Sequence, residues 1–189
     1  MLNDEQKRFL LRLARHSIRS HFEREPLGVE QPEDAVYQRK NGAFVTLHKQ
    51  GNLRGCIGHI VGHKPLFATI CEMALAAAFE DPRFPQIRLA ELDDIDIEIS
   101  ILSPLEEVTN VENIEVGKHG LLIQRDYASG LLLPQVATEW GWDRQTFLQH
   151  TCQKAGLAPD SWQRPGTRIL SFEAVVFGEK ELGIQNSQA

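Results

Sequence analysis

The chain is organised around one stretch, Leu53-Arg54-Gly55-Cys56-Ile57-Gly58, which places a thiol, a guanidinium and two glycines close together. It follows a predicted strand at 42–48 and a predicted hairpin turn at 49–52. Successive strand side chains point to opposite faces, so Arg54, Cys56 and Gly58 should share one face. Glycine inside a strand usually marks a bulge or the close approach of a backbone or ligand. The stretch is therefore a candidate functional site on a glycine-weakened strand.

The rest of the first half predicts helices and one further strand. Asn3 and Asp4 can cap a first helix whose basic residues, Arg15 among them, should largely face water. Residues 65–79 form an apolar helix that Pro65 can begin. Isoleucines then alternate with polar residues over 95–101, which is typical of a strand with one buried face.

The second half predicts a second hairpin, two helices and a last strand. The hairpin pairs residues 121–124 with 131–133 across a turn at 125–130, and a short helix follows at 135–140. Asp143 should cap a helix at 144–155, and a final strand covers 168–177. The buried face of the helical pair should comprise Trp140, Trp142, Phe147 and Leu148. Hairpins combined with helices that do not alternate with strands predict an α+β fold, with a mostly antiparallel sheet flanked by helices.

Composition limits the classes of function. The 189 residues carry a formal net charge of −6, which argues against a dominant nucleic-acid surface because such surfaces need clustered cations. The first residues are polar and acidic, and no apolar run approaches the roughly 20 residues that cross a bilayer. Three widely spaced cysteines suit reduced thiols. We therefore expect a cytoplasmic protein without a membrane partner.

Cys56 is the strongest candidate for covalent chemistry. A nucleophilic cysteine reacts as its thiolate, which a neighbouring cation such as Arg54 stabilises. His119, in a glycine-flanked loop, could act as the base if that loop folds over the same face. Asp81 and Arg83 lie on either side of Pro82, in a stiff segment with a second proline at Pro85, and could line a cleft.

The same residues also admit a structural interpretation. Cys56 could be a small packed residue, Arg54 could pair with a carboxylate such as Glu98 or Asp81, and the glycines could allow tight packing. The spacing of Cys56 with two nearby histidines, His59 and His63, suggests a metal site. On a strand, however, Cys56 and His59 point to opposite faces and no fourth ligand is evident, so we predict no metal site.

Several blocks of sequence, in order along the chain, resemble one known family. They are Gly42 to Leu47, Leu53 to Gly58, Ala76 to Phe84, Gly117 to Leu121, Gly130 to Val136, and Trp142 with the helix that follows it. Together they resemble the AMMECR domain, whose prokaryotic members are called AmmeMemoRadiSam system protein A. The resemblance covers about residues 5 to 180.

The resemblance implies a fold and a biological setting. It implies one domain over 5–183 with two interlocked lobes, followed by a polar tail at 184–189. The family has no established biochemical activity, so the resemblance leaves the cofactor unknown. Its name refers to association with a Memo-type protein and with a radical S-adenosylmethionine enzyme, which implies a modification pathway.

Two classes of function follow from the residues and the resemblance. In one, the protein is an enzyme or small-molecule binder. Arg54, Gly55, Gly58, Asp81 and Arg83 then bind a small anionic ligand, and Cys56 and His119 are catalytic. In the other, it is a non-catalytic binding or scaffold module for the partner proteins.

Overall fold

The computed structural model describes residues 2–24, 28 and 32–184, and they divide into two compact units. The first unit holds the described residues up to Ile101 and those from Val175 onward. The second unit is Leu102–Ala174. The predicted boundaries of the domain, 5–183, stay a prediction.

The first unit contains three helices and a three-stranded antiparallel sheet. Its elements in chain order are α1 (Asp4–Glu23), α2 (Ala35–Gln38), β1 (Ala43–Lys49), β2 (Asn52–His59), α3 (Leu66–Phe79), a 3-10 turn (Leu89–Asp94) and β3 (Ile95–Leu102). The strand order is β2-β1-β3. Helix α3 packs against β1 and β2, and α1 packs against α3. The core of this unit therefore lies between one face of the sheet and α3.

Local patterns explain most of these elements. Asn3 caps the start of α1, as predicted, in a capping box with Gln6 where each side chain bonds the other residue's backbone N–H. The alternation of β3 places Ile95, Ile97 and Ile99 fully inside the core. These positions pair with Lys49, Leu47 and Val45 of β1.

Arg15 corrects the prediction that the basic face of α1 is exposed, because its side chain is buried. Its guanidinium bonds both carboxylate oxygens of Glu179 at 2.6 Å and the carbonyl oxygens of Leu92 and Ile95 at 2.8 and 2.6 Å. Glu179 also accepts the backbone N–H of Ile97. A buried ion pair is tolerated when its remaining donors and acceptors are also bonded, as they are here.

The second unit contains a four-stranded antiparallel sheet and two helices. Its elements are β4 (Glu106–Glu107), a 3-10 turn (Val111–Asn113), β5 (His119–Arg125), β6 (Ala128–Leu132), α4 (Pro134–Glu139), α5 (Arg144–Lys154), a 3-10 turn (Ser161–Gln163) and β7 (Arg168–Gly178), of which the residues up to Ala174 belong to this unit. The strand order is β4-β7-β5-β6. Asp143 caps α5 as predicted, and Gly156 follows it with φ 73°.

Two predictions for this unit are wrong. The turn of the second hairpin is shorter than 125–130, because Arg125 already pairs with Ala128 and Gly130 lies within β6. Trp140 does not belong to the buried face, since 70% of its surface is exposed. Phe147 and Leu148 are buried and Trp142 is half-buried, as that face requires.

The structure confirms the α+β fold with antiparallel strands and flanking helices. No helix among the described residues is long and apolar enough to span a bilayer. Within the predicted polar tail, Ile184 packs partly against the first core. The rest of that tail, from residue 185, lies outside the described residues.

Candidate functional site

Strand β2, which carries the motif, is an edge strand with a β-bulge. Gly55 lies opposite Leu47 and Leu53 lies opposite His48, so Arg54 is the extra residue between them. A bulge interrupts the alternation of side chains and can aim one of them in a new direction. Because the bulge lies at Arg54, strict alternation no longer requires Arg54 and Cys56 to share a face.

The two glycines of the motif lie where side chains would collide with neighbours. A Cβ on Gly55 would lie 2.1 Å from the carbonyl oxygen of Ala77 in α3. A Cβ on Gly58 would lie 2.3 Å from the ring of Phe44 on the neighbouring strand. Close packing thus accounts for both glycines. Their role in binding a substrate stays a prediction.

Asp81 and Arg83 hold the free edge of β2 at Cys56. Asp81 Oδ2 accepts the backbone N–H of Cys56 at 2.8 Å, and Arg83 Nη2 donates to the carbonyl oxygen of Cys56 at 3.2 Å. The two side chains also bond each other, with Arg83 Nη2 2.7 Å from Asp81 Oδ2. Together they occupy the donor and acceptor that an exposed strand edge would offer to another chain.

The charge state of Asp81 follows from these contacts. Its carboxylate is only 2% exposed, whereas the side chain of Arg83 is 54% exposed. The hydrogen bond from Arg83 holds the pKa of Asp81 well below its usual range, although burial opposes the shift. The backbone N–H groups of Cys56 and Arg83 lower the pKa further. Asp81 is therefore an anion at neutral pH and a poor general acid or base.

Arg54 is engaged by the segment that follows α3. Its Nη1 donates to the carbonyl oxygen of Pro85 at 2.8 Å, and its Nη2 lies 3.3 Å from Glu91 Oε2. Lys49 and the backbone N–H of Arg88 bond the same carboxylate at 3.0 and 3.1 Å. Lys49 is the main reason that the pKa of Glu91 falls to about 2. The carboxylate partner of Arg54 is thus Glu91, and not Glu98 or Asp81 as suggested above.

The Cys56 thiol has different surroundings from the charged groups. Thr46, its cross-strand neighbour, donates from Oγ1 to Cys56 Sγ at 3.2 Å. On the other side, Thr46 pairs with Glu98 of β3. This row lies on the face of the sheet opposite Gly55 and α3, and all three of its residues are half-buried. The Cys56 thiol is therefore half-buried and points to a polar, partly open face.

His119 belongs to the second unit, where it begins β5 and lies opposite Glu173. Its Nδ1 accepts the backbone N–H of Glu115 at 3.1 Å. These contacts hold the imidazole within its own unit. A role as the base for Cys56 stays a prediction.

Glu91 and Thr46 were not predicted as neighbours of the motif. The predicted hairpin register pairs Thr46 with Gly55, and only the bulge at Arg54 shifts the pairing to Cys56. No local pattern identifies Glu91, which lies 37 residues from Arg54. Within the described residues, no group of three or more His, Cys, Asp or Glu could hold a metal ion.

Comparison with known proteins places this arrangement in a family. The family model described as AMMECR1 matches residues 11–177. The chain belongs to the AMMECR1 family. Its members include a protein of Methanothermobacter thermautotrophicus that is 47% identical over 94% of this chain and 96% of its own length. Another, from Thermococcus gammatolerans, is 43% identical over 95% of this chain and 93% of its own length.

A solved AMMECR1-family structure has the same fold. It is the crystal structure of the uncharacterized protein PH0010 from Pyrococcus horikoshii, with a TM-score of 0.83 and 39% sequence identity. The match covers 93% of this chain and 92% of that one. The α+β fold and the family membership are thus established from both sequence and structure.

Proposed function

We propose that this AMMECR1-family protein is a non-catalytic binding module that acts with partner proteins in a modification pathway. One observation supports this choice above all. The charged groups of the motif region, Arg54, Asp81 and Arg83, form hydrogen bonds that hold the edge of β2 and the segment after α3. Groups so engaged are poorly placed to move protons or bind an anion during a reaction cycle.

The partners we propose are the Memo-type protein and the radical S-adenosylmethionine enzyme that the family resemblance implies. The surface we propose for them is the polar face of the first unit's sheet, centred on Thr46, Cys56 and Glu98. Its residues are half-buried, so a partner could reach them without unfolding the strand. A strand whose edge is already bonded presents this face in a fixed geometry, which reduces the entropy lost on binding.

The test of this proposal is a binding titration with a purified Memo-type protein. We expect saturable binding that Cys56→Ala changes by less than about threefold, because the thiol contributes little area. Thr46→Arg should weaken binding by at least about tenfold, since it places a bulky charge on the proposed face. Ser129→Arg, on an exposed strand position of the second unit, is the matched control and should bind as the wild type. Failure of Thr46→Arg to weaken binding contradicts the proposal.

The second candidate is a small-molecule site in which Cys56 is the reactive group. The specific observation in its favour is the half-exposed thiol, which accepts a hydrogen bond from Thr46 Oγ1. An anionic ligand at Arg54 would have to compete with Glu91, and the guanidinium side chain is only 13% exposed. This candidate therefore depends on the thiol more than on the arginine.

Alkylation of single-cysteine variants distinguishes the two candidates. Three variants would each retain one of Cys56, Cys71 and Cys152. Burial raises the pKa of both Cys71 and Cys152, so these thiols serve as slow internal references. Reaction of Cys56 with iodoacetamide at neutral pH at least about tenfold faster than a free thiol supports the reactive-thiol candidate. A rate at or below that of a free thiol excludes the reactive-thiol candidate and favours the binding module.

A further inference from the structure

Three aromatic rings in the second unit, away from the motif of β2, form a column. The ring of His150 lies parallel to that of Trp142, with centroids 3.9 Å apart and an interplanar angle of 6°. The ring of Trp142 is in turn nearly parallel to that of Trp140, with centroids 6.3 Å apart and an angle of 19°. The half-buried Trp142, the middle ring of the column, packs against the second core.

The turn between the two tryptophans has a defined backbone. Helix α4 ends with the N–H of Gly141 bonded to the carbonyl oxygen of Thr138, and the N–H of Trp142 bonded to that of Ala137. This pair of bonds is the Schellman motif, which requires a left-handed residue at Gly141, where φ is 64°. Trp142 and Ala137 provide the apolar contact that accompanies this motif. The position of Trp140 is therefore set by the end of the helix.

Trp140 presents most of its indole to solvent, with 70% of its surface exposed. Tryptophan held rigidly at a surface loses little conformational freedom on binding, and it is enriched at the energetic centres of interfaces. The exposed ring thus has the properties of a preformed contact for another molecule.

The charges next to Trp140 favour a cationic partner. Glu139, its exposed neighbour, has no ion-pair partner among the residues that the structure describes. Asp143 is held as an anion, because hydrogen bonds from Thr146 lower its pKa. The nearby cation, Arg144, is paired with Glu112. Two carboxylates thus lie within three residues of Trp140 along the chain, and the net charge of the whole chain is −6.

We propose that Trp140 binds an arginine side chain on a basic segment of a partner protein. A guanidinium is planar and stacks on an indole face, where the ring quadrupole attracts its charge. The carboxylates of Glu139 and Asp143 supply further attraction. Lysine should bind less well because its ammonium is more strongly hydrated and not planar. The proposal does not depend on any role of Cys56 or its sheet face.

The test uses a short glycine-serine peptide that contains two arginines, titrated into the full-length isotope-labelled protein. The protein has three tryptophans, so its NMR spectrum should contain three indole N–H signals. We expect the signal that Trp140→Ala removes to shift on titration, while the signal of Trp162 stays in place. A peptide with citrulline in place of arginine keeps the planar shape without the charge. It should shift the Trp140 signal little.

Variants complete the test. Trp140→Ala should weaken binding of the arginine peptide about five- to thirtyfold. Glu139→Gln should weaken it less, and its effect should fall as salt is added. The matched control is Tyr127→Ala, which removes a fully exposed ring of the same unit outside the column and should leave affinity within about twofold.

Three outcomes would overturn the proposal. One is equal binding of the citrulline peptide, which would indicate neutral stacking. Another is unchanged affinity in Trp140→Ala. The third is no shift of the Trp140 signal at about 1 mM arginine peptide, where even a weak cation–π contact in a charged setting should be visible.

Discussion

Asp81 Oδ2 accepts the backbone N–H of Cys56 at 2.8 Å across 25 residues of sequence. Through this bond a side chain occupies a position that a neighbouring strand would otherwise fill. Arg83 completes the arrangement by donating to the carbonyl oxygen of the same residue. The segment 81–83 that follows α3 therefore holds the free edge of β2.

Asp81→Asn should destabilise the protein. The amide keeps the shape but loses the charge that strengthens the bonds from Arg83 and Cys56, so we expect a loss of about 1–3 kcal/mol in the free energy of unfolding. Urea denaturation measures it. Asp126→Asn, at a carboxylate that is 85% exposed, is the control and should change stability by less than about 0.5 kcal/mol. Equal stability of the two variants would show that the edge contact contributes nothing.

Stability should fall in acid partly through Asp81 and Glu91. Both have a lower pKa in the folded protein, so the unfolded chain takes up more protons as the pH falls. The stabilisation they contribute is present above the unfolded pKa values of about 4 and is lost as the pH drops toward about 2. Between pH 7 and pH 3, the double variant Asp81→Asn, Glu91→Gln should lose about 1–2 kcal/mol less than the wild type. If the free energy of unfolding changes equally with pH in the two proteins, this assignment is wrong.

Gly55→Ala should destabilise the first unit. The added methyl group would lie 2.1 Å from the carbonyl oxygen of Ala77, so either the strand or helix α3 has to shift, at a cost of about 1–3 kcal/mol. Gly178→Ala is a matched control on a strand, because the nearest atom to its Cβ would be the Ile97 carbonyl oxygen at 3.6 Å. Thermal unfolding, monitored by circular dichroism, compares the stabilities of the two variants. A Gly55→Ala protein as stable as Gly178→Ala would be inconsistent with the close contact.

Glu179→Ala should be among the most destabilising substitutions. It leaves the Arg15 guanidinium buried without its anion, which costs about 3–5 kcal/mol in buried pairs. Arg12→Ala, on an exposed position of the same helix, should cost less than about 0.5 kcal/mol. Chemical denaturation of both variants checks the contrast. If the double variant Arg15→Met, Glu179→Leu recovers most of the stability, the cost comes from the unpaired charge.

Local patterns in the sequence were sufficient for most elements of the fold. The isoleucine alternation of β3, the capping box of α1 and the Asp143 cap of α5 depend on residues only a few positions apart. The several sequence blocks also identified the family before any coordinates, because their order along the chain is specific. For the site, the sequence predicted the strand that carries Cys56, whereas the bulge at Arg54 decides that Thr46 lies beside it.

The amino-acid sequence alone thus determined the α+β class, the family and the strand that carries Leu53-Arg54-Gly55-Cys56-Ile57-Gly58. Only the tertiary structure decided which partner each polar group has. Arg15 is buried because Glu179 reaches it across 164 residues, and Arg54 is bonded to Glu91 because a bulge in β2 directs it there. Trp140 is exposed because a Schellman turn ends α4 beneath it. Such pairings depend on contacts between distant segments, which no local periodicity encodes.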